Sequence, residues 1–458
     1  VLGCLCVAAI GQVTVQGVVA LRQMSIRSVV LMLGTDPPHD AAGHTNILLL
    51  GQGDQDHDGI DLTDTIMVAS LDPSNTRSVV MLSVPRDLWL SDAGHVGDGR
   101  INTLYRDEKI YARRTQDLDP KAASQVAMRT VAMEIGERLG LEIHAVVKVD
   151  FSGFVQVVDE LGGVDVDVPQ AIIDTEYPGP NYSYQTFRMN EGLQHLDGET
   201  ALKYARSRHS SSDFGRSARQ QQLLTALTQK VQEQGLLRSP STILSLLQIL
   251  GEHVEMTLST SELIGLARQA SVIDASLNAS YQLSDRSLEA AGFLYPPPRD
   301  AFQGASVLLP DGGREGWAQI RRFVDLTIRQ RLPLEPHAIA IFNGGAATGQ
   351  GRFLGQELTR YGLNVVEIAN VERPKSTPPL ERSILEAEDL TNPVTTTLSE
   401  ALGVAPTTLA MPPQEAATGA TLPTIRITLG KDYAYRSLHA ALPALATPTS
   451  SSSAAAQP

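Results

Sequence analysis

The run Asn46-Ile-Leu-Leu-Leu-Gly51 reads as a strand buried within a sheet, and it opens a β-rich block that sets the fold class. Two further strands are predicted, Thr65–Leu71 and Ser78–Val84, joined by the turn sequence Asp72-Pro-Ser-Asn75. Residues 122–140 then read as a helix, with Ala127, Val131, Ile135 and Leu139 on one stripe. A strand (144–150), a helix (151–161) and a short strand ending at Val168 follow, punctuated by Gly162-Gly163, and helices dominate 198–274. The expectation is a mixed α/β domain over residues 46–332.

The stretch from Pro333 to Pro336 marks a boundary. Beyond it, Ala338–Phe342, the Gly-rich turn 344–351, a helix over 352–361 and Asn364–Ile368 predict a compact β-turn-α-β unit, so a small C-terminal α/β domain is assigned to 336–432. Residues 372–379 read as a loop, and 443–458, rich in Ser, Thr, Ala and Pro, as a disordered tail. At the other end, residues 1–21 carry no charge and match the ~20 residues of a membrane helix. A signal anchor is expected there, with 22–45 as the lead-in to the first core strand; Gln12 and Gln16 weigh against it, and a buried apolar helix is the competing reading. A chain that starts at Val1 instead of methionine is read as processed or as a fragment.

Charge narrows the function classes. Lys and Arg number 37 against 51 Asp and Glu, a net charge of −14, so general nucleic-acid binding is not expected and any anionic ligand must be captured by a local basic cluster. The two cysteines, Cys4 and Cys6, both fall in the first apolar run, which leaves the rest without disulfides or cysteine-based zinc sites. The ten histidines are scattered, and no Gly-x-Ser-x-Gly, His-Glu-x-x-His or P-loop pattern occurs.

Such a basic cluster exists in Tyr204-Ala-Arg206-Ser-Arg208 and Asp213-Phe-Gly-Arg216-Ser-Ala-Arg219-Gln220. Arginine offers planar, always-charged donors suited to phosphate oxygens. With Asp213 as an N-cap, Arg216, Arg219 and Gln220 fall in the first two turns of a helix, whose N-terminus favours anions. Leu223, Leu224, Leu227 and Val231 continue the same side as an apolar stripe. A phosphate-binding head followed by an oily stripe suits a lipid phosphate; a solvated basic helix with an ordinary core face is the competing reading. A second cluster, Gly51 to Thr65, places Asp54, Asp56, Asp58 and Gly59 at EF-hand positions, but Thr65 stands where the bidentate Glu belongs and the flanks read as strands. What remains is a set of carboxylates between two strands, suited either to a hard cation such as Mg²⁺ or to an exposed acidic turn. The third cluster is Ser83-Val-Pro-Arg86-Asp87 at a strand end, which taken alone is a turn with a surface ion pair.

In this order, the clusters resemble the LytR–CpsA–Psr family of cell-wall glycopolymer ligases. The matching stretches are NILLLG (46–51), LTDTIMVASLDP (62–73), SVPRD (83–87), RIN (100–102), VDFSGFVQVVDELGGVDVDV (149–168), GLQHLDGETALKYARSR (192–208) and DFGRSARQQ (213–221). The 336–432 region, edged by AIFNGG and TLGKDY, is similar to the small C-terminal domain often appended to this family. The resemblance implies a central mixed sheet flanked by helices around an apolar lipid pocket. It implies transfer of a glycopolymer phosphate from a polyprenyl-diphosphate donor to a peptidoglycan sugar hydroxyl, by a chain held at the plasma membrane through its N-terminal helix with the catalytic domain on the extracytoplasmic side. Arg86, Arg206, Arg208, Arg216 and Gln220, with Arg219 beside them, would bind the diphosphate. Asp64 and Asp54 would hold Mg²⁺. Arg86, Asp87, Arg206 and Arg208 would carry catalysis, with Asp87 as general base or as the orienter of Arg86. Two departures stand out: Asp54 falls one position late, so Asp56 or Asp58 could substitute, and the arginine many members carry shortly before Asp64 is absent from Ile60–Thr63. Competing functions are a non-catalytic polyprenyl-phosphate binding or regulatory protein, a hydrolase of the same diphosphate, and an adhesion protein acting through the C-terminal domain.

Overall fold

The computed structural model describes residues 34–53, 60–179, 183–207, 213–233, 253–372, 374, 376–409 and 422–445. The expected anchor at 1–21 lies outside them, and among the described residues no helix is long and apolar enough to cross a membrane.

Strands β1 (Thr45–Gln52), β2 (Thr63–Asp72) and β3 (Ser78–Ser83) form an antiparallel meander. The turn between β2 and β3 is built on Asp72, whose carboxylate accepts from the backbone N–H of Ser74, Asn75 and Thr76. A short hairpin, β4 (Trp89–Ala93) and β5 (Gly97–Arg100), leads into helices α1 (Ile101–Thr115) and α2 (Pro120–Leu139). Asp119 caps α2 through the N–H of Lys121 and Ala122, and Gly140 closes it in the left-handed region at φ 70°. Then come β6 (Ala145–Val149), α3 (Phe151–Glu160), β7 (Val164–Val168), β8 (Ile172–Pro178), β9 (Tyr184–Met189), β10 (Gly192–Leu196), α4 (Gly198–Arg206) and α5 (Asp213–Glu233). Gly198 lets α4 meet α3 backbone to backbone, since a Cβ there would lie 2.3 Å from the Val155 carbonyl oxygen.

With β11 (Val254–Met256), α6 (Thr260–Ala270) and β12 (Ala279–Gln282), the main sheet is complete in the order β11-β6-β1-β2-β3-β12. It is mixed, because β6 runs parallel to β1 and β12 parallel to β3. Side chains alternate across it. Leu48, Leu50, Val68 and Leu82 join Tyr105, Met128 and Val131 of α1 and α2 on one face. Ile47, Met67, Ala69 and Met81 point the other way, where Leu224 of α5 and Leu266 of α6 pack. Cover on both faces explains why β1 is a continuous apolar run. Helix α1 was not anticipated from periodicity, because polar Asn102 and Glu108 take buried positions on its inner side.

After β13 (Leu294–Tyr295) and β14 (Leu309–Pro310), α7 (Arg314–Val324) runs through a π-helical turn, Asp325–Arg329, to Arg331. The second unit holds β15 (Ile339–Asn343), α8 (Gln350–Arg360), β16 (Val365–Asn370), β17 (Ile384–Ala387), α9 (Pro393–Leu402), β18 (Pro406–Thr408), β19 (Ile425–Leu429) and α10 (Leu438–Ala441), with sheet order β16-β15-β19-β17-β18. Its core is continuous with that of the first unit. Phe293 and Phe323 stand 5.2 and 6.4 Å, centroid to centroid, from Tyr361 of the second unit, and Tyr281 meets Phe323 edge-on at 5.4 Å. The tail expected to be free from 443 is held at its first residue, where Arg322 donates to the Pro443 carbonyl.

Arg331, 2% exposed, ties the linker to the main sheet. Its guanidinium donates to Ser78 Oγ at 3.0 Å and to the Ser70 carbonyl at 3.0 Å, with Asp72 at 3.8 Å. Burial lowers its pKa to about 10, so it remains charged at neutral pH. His44, also buried, lies 3.7 Å from Asp72 on the far side.

Burial holds His44, His144 and His337 below the ordinary imidazole range, and at His44 the Arg331 charge adds to it. Geometry gives a second reason for two of them: His144 Nδ1 accepts from Asn46 N at 2.9 Å and His337 Nε2 from Asn364 N at 2.8 Å, bonds that a protonated ring loses. The unfolded chain then binds more protons than the folded one once pH drops below about 6.5, so this stability is whole above that value and is lost as pH falls through the depressed folded pKa values. Thermal midpoints measured from about pH 7.5 down to about pH 5 should decline, with a shallower decline for His144→Gln. An unchanged slope in that variant would remove His144 from the account.

Candidate functional site

Helix α1 starts without a side-chain cap: Arg100 occupies the N-cap position and makes no capping bond. Its first N–H groups need acceptors, and they find them in the turn after β3. Ile101 N donates to the Leu88 carbonyl at 2.8 Å and Asn102 N to that of Arg86 at 3.3 Å. This pairing brings the 83–87 and 100–102 motifs together beside β2. Asp64 Oδ1 accepts from Arg86 Nη1 and from Asn102 Nδ2, both at 3.3 Å. Asp87 lies between two guanidiniums, 3.7 Å from Arg86 Nε and 3.4 Å from Arg100 Nη1. Asp64 keeps 42% of its side chain exposed, so this cluster faces solvent.

An apolar cavity of about 170 Å³ lies on the α5 side of the sheet. Leu49, Met67, Val147, Phe154, Leu223 and Leu224 supply its apolar wall, and Thr65, Asp150, Arg206 and Gln220 its polar groups. Thr65 follows Asp64 directly, which places the two sites on one strand end. A Cβ on Gly51 would lie 2.9 Å from Thr65 Cβ, so the glycine keeps the β1–β2 end closely paired where it borders the cavity.

The arginines have different surroundings. Arg206, at the end of α4, lies 4.2 Å over the Phe151 ring and 5.7 Å from that of Tyr177, and it lines the cavity. Arg216 is 5% exposed, in the first turns of α5. Arg219 is turned away from the cavity: its Nε donates to the Tyr204 carbonyl at 2.8 Å and its Nη2 to that of Ser207. Those bonds close the C-terminal end of α4, where helical carbonyls lack partners. Burial lowers the Arg219 pKa. Gln220 Nε2 reaches the Ala205 carbonyl at 3.4 Å. Asp213 opens α5 as its first residue. Arg208, Asp54, Asp56 and Asp58 lie outside the described residues.

The structure thus gathers Asp64, Arg86 and Asp87 in one cluster and Arg206 and Gln220 at the cavity on the α5 side of the sheet. Arg100 and Asn102, which the sequence marked only as part of a matching stretch, join the first group. Phe151 and Tyr177 flank Arg206 in the second. Only the Arg-x-Asn spacing ahead of a helix start could have signalled the former. Asp61, near in sequence, is engaged by Lys109 at 2.9 Å. Among the described residues no three His, Cys, Asp or Glu side chains gather as a metal cluster; of the two carboxylates beside Arg86, Asp64 is the more exposed.

Comparison with known proteins places this geometry in context. The LytR_cpsA_psr family matches residues 21–295, more than half of the chain, and the LytR cell envelope-related transcriptional attenuator domain matches residues 337–433. The chain is 30% identical over 232 residues to the cell wall biosynthesis protein LcpA of Corynebacterium glutamicum, covering 47% of this chain and 42% of that protein. It is 31% identical over 220 residues to the polyisoprenyl-teichoic acid–peptidoglycan teichoic acid transferase TagU of Oceanobacillus iheyensis, covering 48% and 60%. With TagV of Bacillus subtilis, a transferase of the same description, identity is 34% over 173 residues, covering 37% and 39%. The matches therefore span between 39% and 60% of these relatives' own lengths.

The contrast between Arg219 and Arg206 is measurable. Arg219→Ala should cost about 2–3 kcal/mol in denaturant unfolding, because two carbonyls lose a buried charged donor. Arg206→Ala should cost about 1 kcal/mol, since it loses one hydrogen bond to the Tyr177 hydroxyl and ring contacts at a cavity wall. Equal losses would show that Arg206 is as structural as Arg219.

Proposed function

The chain belongs to the LytR–CpsA–Psr family, and from that premise we propose that it is a phosphotransferase moving a glycopolymer phosphate from a polyprenyl-diphosphate lipid to a sugar hydroxyl of peptidoglycan. One observation carries the reading: an apolar cavity, suited to the start of a lipid chain, has Arg206 and Gln220 among its polar groups, and its Thr65 directly follows Asp64 of the cluster with Arg86, Asp87 and Arg100. The names of the teichoic acid transferases among its relatives support the same reaction class.

In the reaction the acceptor hydroxyl oxygen attacks the phosphorus that carries the polymer. The bond from that phosphorus to the bridging oxygen breaks, its electron pair leaves with the lipid monophosphate, and the hydroxyl proton passes to solvent. Charge neutralisation and positioning supply most of the acceleration in such transfers. Arg86, Arg206, Arg208, Arg216 and Gln220 would bind the diphosphate. Arg219, committed to backbone carbonyls, would act by holding the end of α4 and thereby Arg206. Asp87, between two guanidiniums, would orient Arg86 and Arg100. Asp64 offers a hard oxygen donor of the kind Mg²⁺ shares with phosphate oxygens; with Asp54 it would hold the ion, which when bound neutralises diphosphate charge. Residues 1–21 would anchor the chain in the plasma membrane with this site on the extracytoplasmic side.

The assay is purified chain with a polyprenyl-diphosphate-linked oligosaccharide donor and a peptidoglycan glycan acceptor. Arg86→Ala and Arg206→Ala should each lower transfer by about 10²–10³-fold with an unchanged far-UV spectrum. Release of free oligosaccharide at a rate insensitive to acceptor would instead identify a hydrolase. Donor binding without turnover in the unaltered chain would identify a binding protein.

A further inference from the structure

Helix α5 has a second lined face. Gln220, Leu223 and Leu224 face the apolar cavity, while Gly215, Ala218 and Gln221 line a separate hollow of about 530 Å³ against β12 and the loop after it. Successive helical residues advance by about 100°, which puts these two sets on opposite sides of α5. The hollow lies within the usual size range of small-ligand sites, about 300–1,000 Å³.

Its chemistry differs from that of the cavity. Ser280, Gln282 and Ser284 present hydroxyl and amide groups, and the ionic residues Arg286 and Glu289 pair with each other at 3.1 Å. The Ser280 and Gln282 side chains make no hydrogen bond among the described residues. The Tyr281 ring packs into the aromatic cluster at Phe323, and Tyr281 lines the hollow together with its strand neighbours Ser280 and Gln282. A wall of hydroxyls and amides whose one ion pair carries no net charge holds little for an anion or a lipid chain, whereas a polyhydroxylated ring can bond to each of those groups.

The hollow is also joined to the phosphate site. Gln221 Nε2 donates to Ser83 Oγ at 2.9 Å and to the Tyr281 carbonyl at 2.7 Å, and Gln282 is the register partner of Ser83. Arg86 is three residues beyond Ser83, within about 11 Å even for fully extended chain. Resting on the function proposed above, we propose that this hollow is the subsite for the acceptor saccharide, so that α5 separates the lipid donor on one side from the sugar that receives its phosphate-linked polymer on the other.

The donor's own polymer shares this chemistry, so the test must separate the two sugars. With a short-chain polyprenyl-diphosphate disaccharide as donor and a soluble peptidoglycan tetrasaccharide as acceptor, KM is measured for each in Ala218→Trp, which fills the hollow, and in the double variant Ser280→Ala/Gln282→Ala. The expected result is an acceptor KM raised about tenfold or more, an unchanged donor KM, and a fall in transfer relative to donor hydrolysis. A raised donor KM with the acceptor KM unmoved would overturn the proposal and give the hollow to the donor polymer. Unchanged constants in both variants would overturn it as well, leaving the transferase reading intact. An unaltered chain that neither transfers nor hydrolyses the donor would overturn that reading and this one with it. Should Ala218→Trp fail to fold, the double variant, which only removes side-chain atoms, decides.

Discussion

One buried charge holds three parts of this molecule in register. Arg331 reaches back from the linker to Ser70, Asp72 and Ser78, at the β2–β3 end of the main sheet, and His44 approaches the same Asp72 from the lead-in to β1. An enclosed guanidinium is tolerable only with such partners. Burial works against ionisation of Asp72, but the backbone of Thr76 and Asn75, the Thr76 hydroxyl and Arg331 together hold its carboxyl below the usual range. The linker cannot leave the sheet without stranding that charge. The second unit is thereby placed against α7 and the 291–294 segment, and the aromatic cluster of Phe293, Phe323 and Tyr361 seals the junction.

The functional region follows from a similar economy of partners. The unsatisfied start of α1 is met by the turn after β3, which sets Arg86 and Asp87 beside Asp64. The unsatisfied end of α4 is met by Arg219, which sets Arg206 at the cavity. Helix α5 supplies Arg219 to the end of α4, Gln220 to the cavity and Gln221 to the strand side, so three consecutive residues serve three different surfaces. Polar groups of the backbone, not only apolar contacts, thus determine where the reactive side chains stand.

Much of this was legible in the chain. The strands β1–β3, helix α2 with its apolar stripe, and the Gly-rich β-turn-α-β start of the second unit carry strong local signals: apolar runs, helical periodicity, glycine at a turn. The basic head of α5 was legible as a cluster, yet its division of labour was not, because Arg216, Arg219 and Gln220 share a spacing and differ only in what lies opposite them. Helix α1 was hidden by buried Asn102 and Glu108, whose partners are distant: Asn102 meets Asp64, and Glu108 accepts from His95 N at 2.6 Å. The β8–β9 hairpin that brings Tyr177 to Arg206 likewise depends on a contact across more than twenty residues. The roles of Arg100 and Arg331 are long-range facts of the same kind, unreadable from periodicity.

The continuous core has an evolutionary corollary. A domain strung on an open linker can be gained or lost by one recombination event, with its neighbour's surface untouched. Here, deleting everything past Leu334 would bare Phe293 and Phe323 and remove the backing of Tyr281. A version of this fold without the second unit would need other residues on the surface of α7, in the 291–294 segment and at β12. Substitutions in the two units should covary across this seam as they do within a single fold, making the second unit a co-inherited piece of one body instead of a detachable accessory.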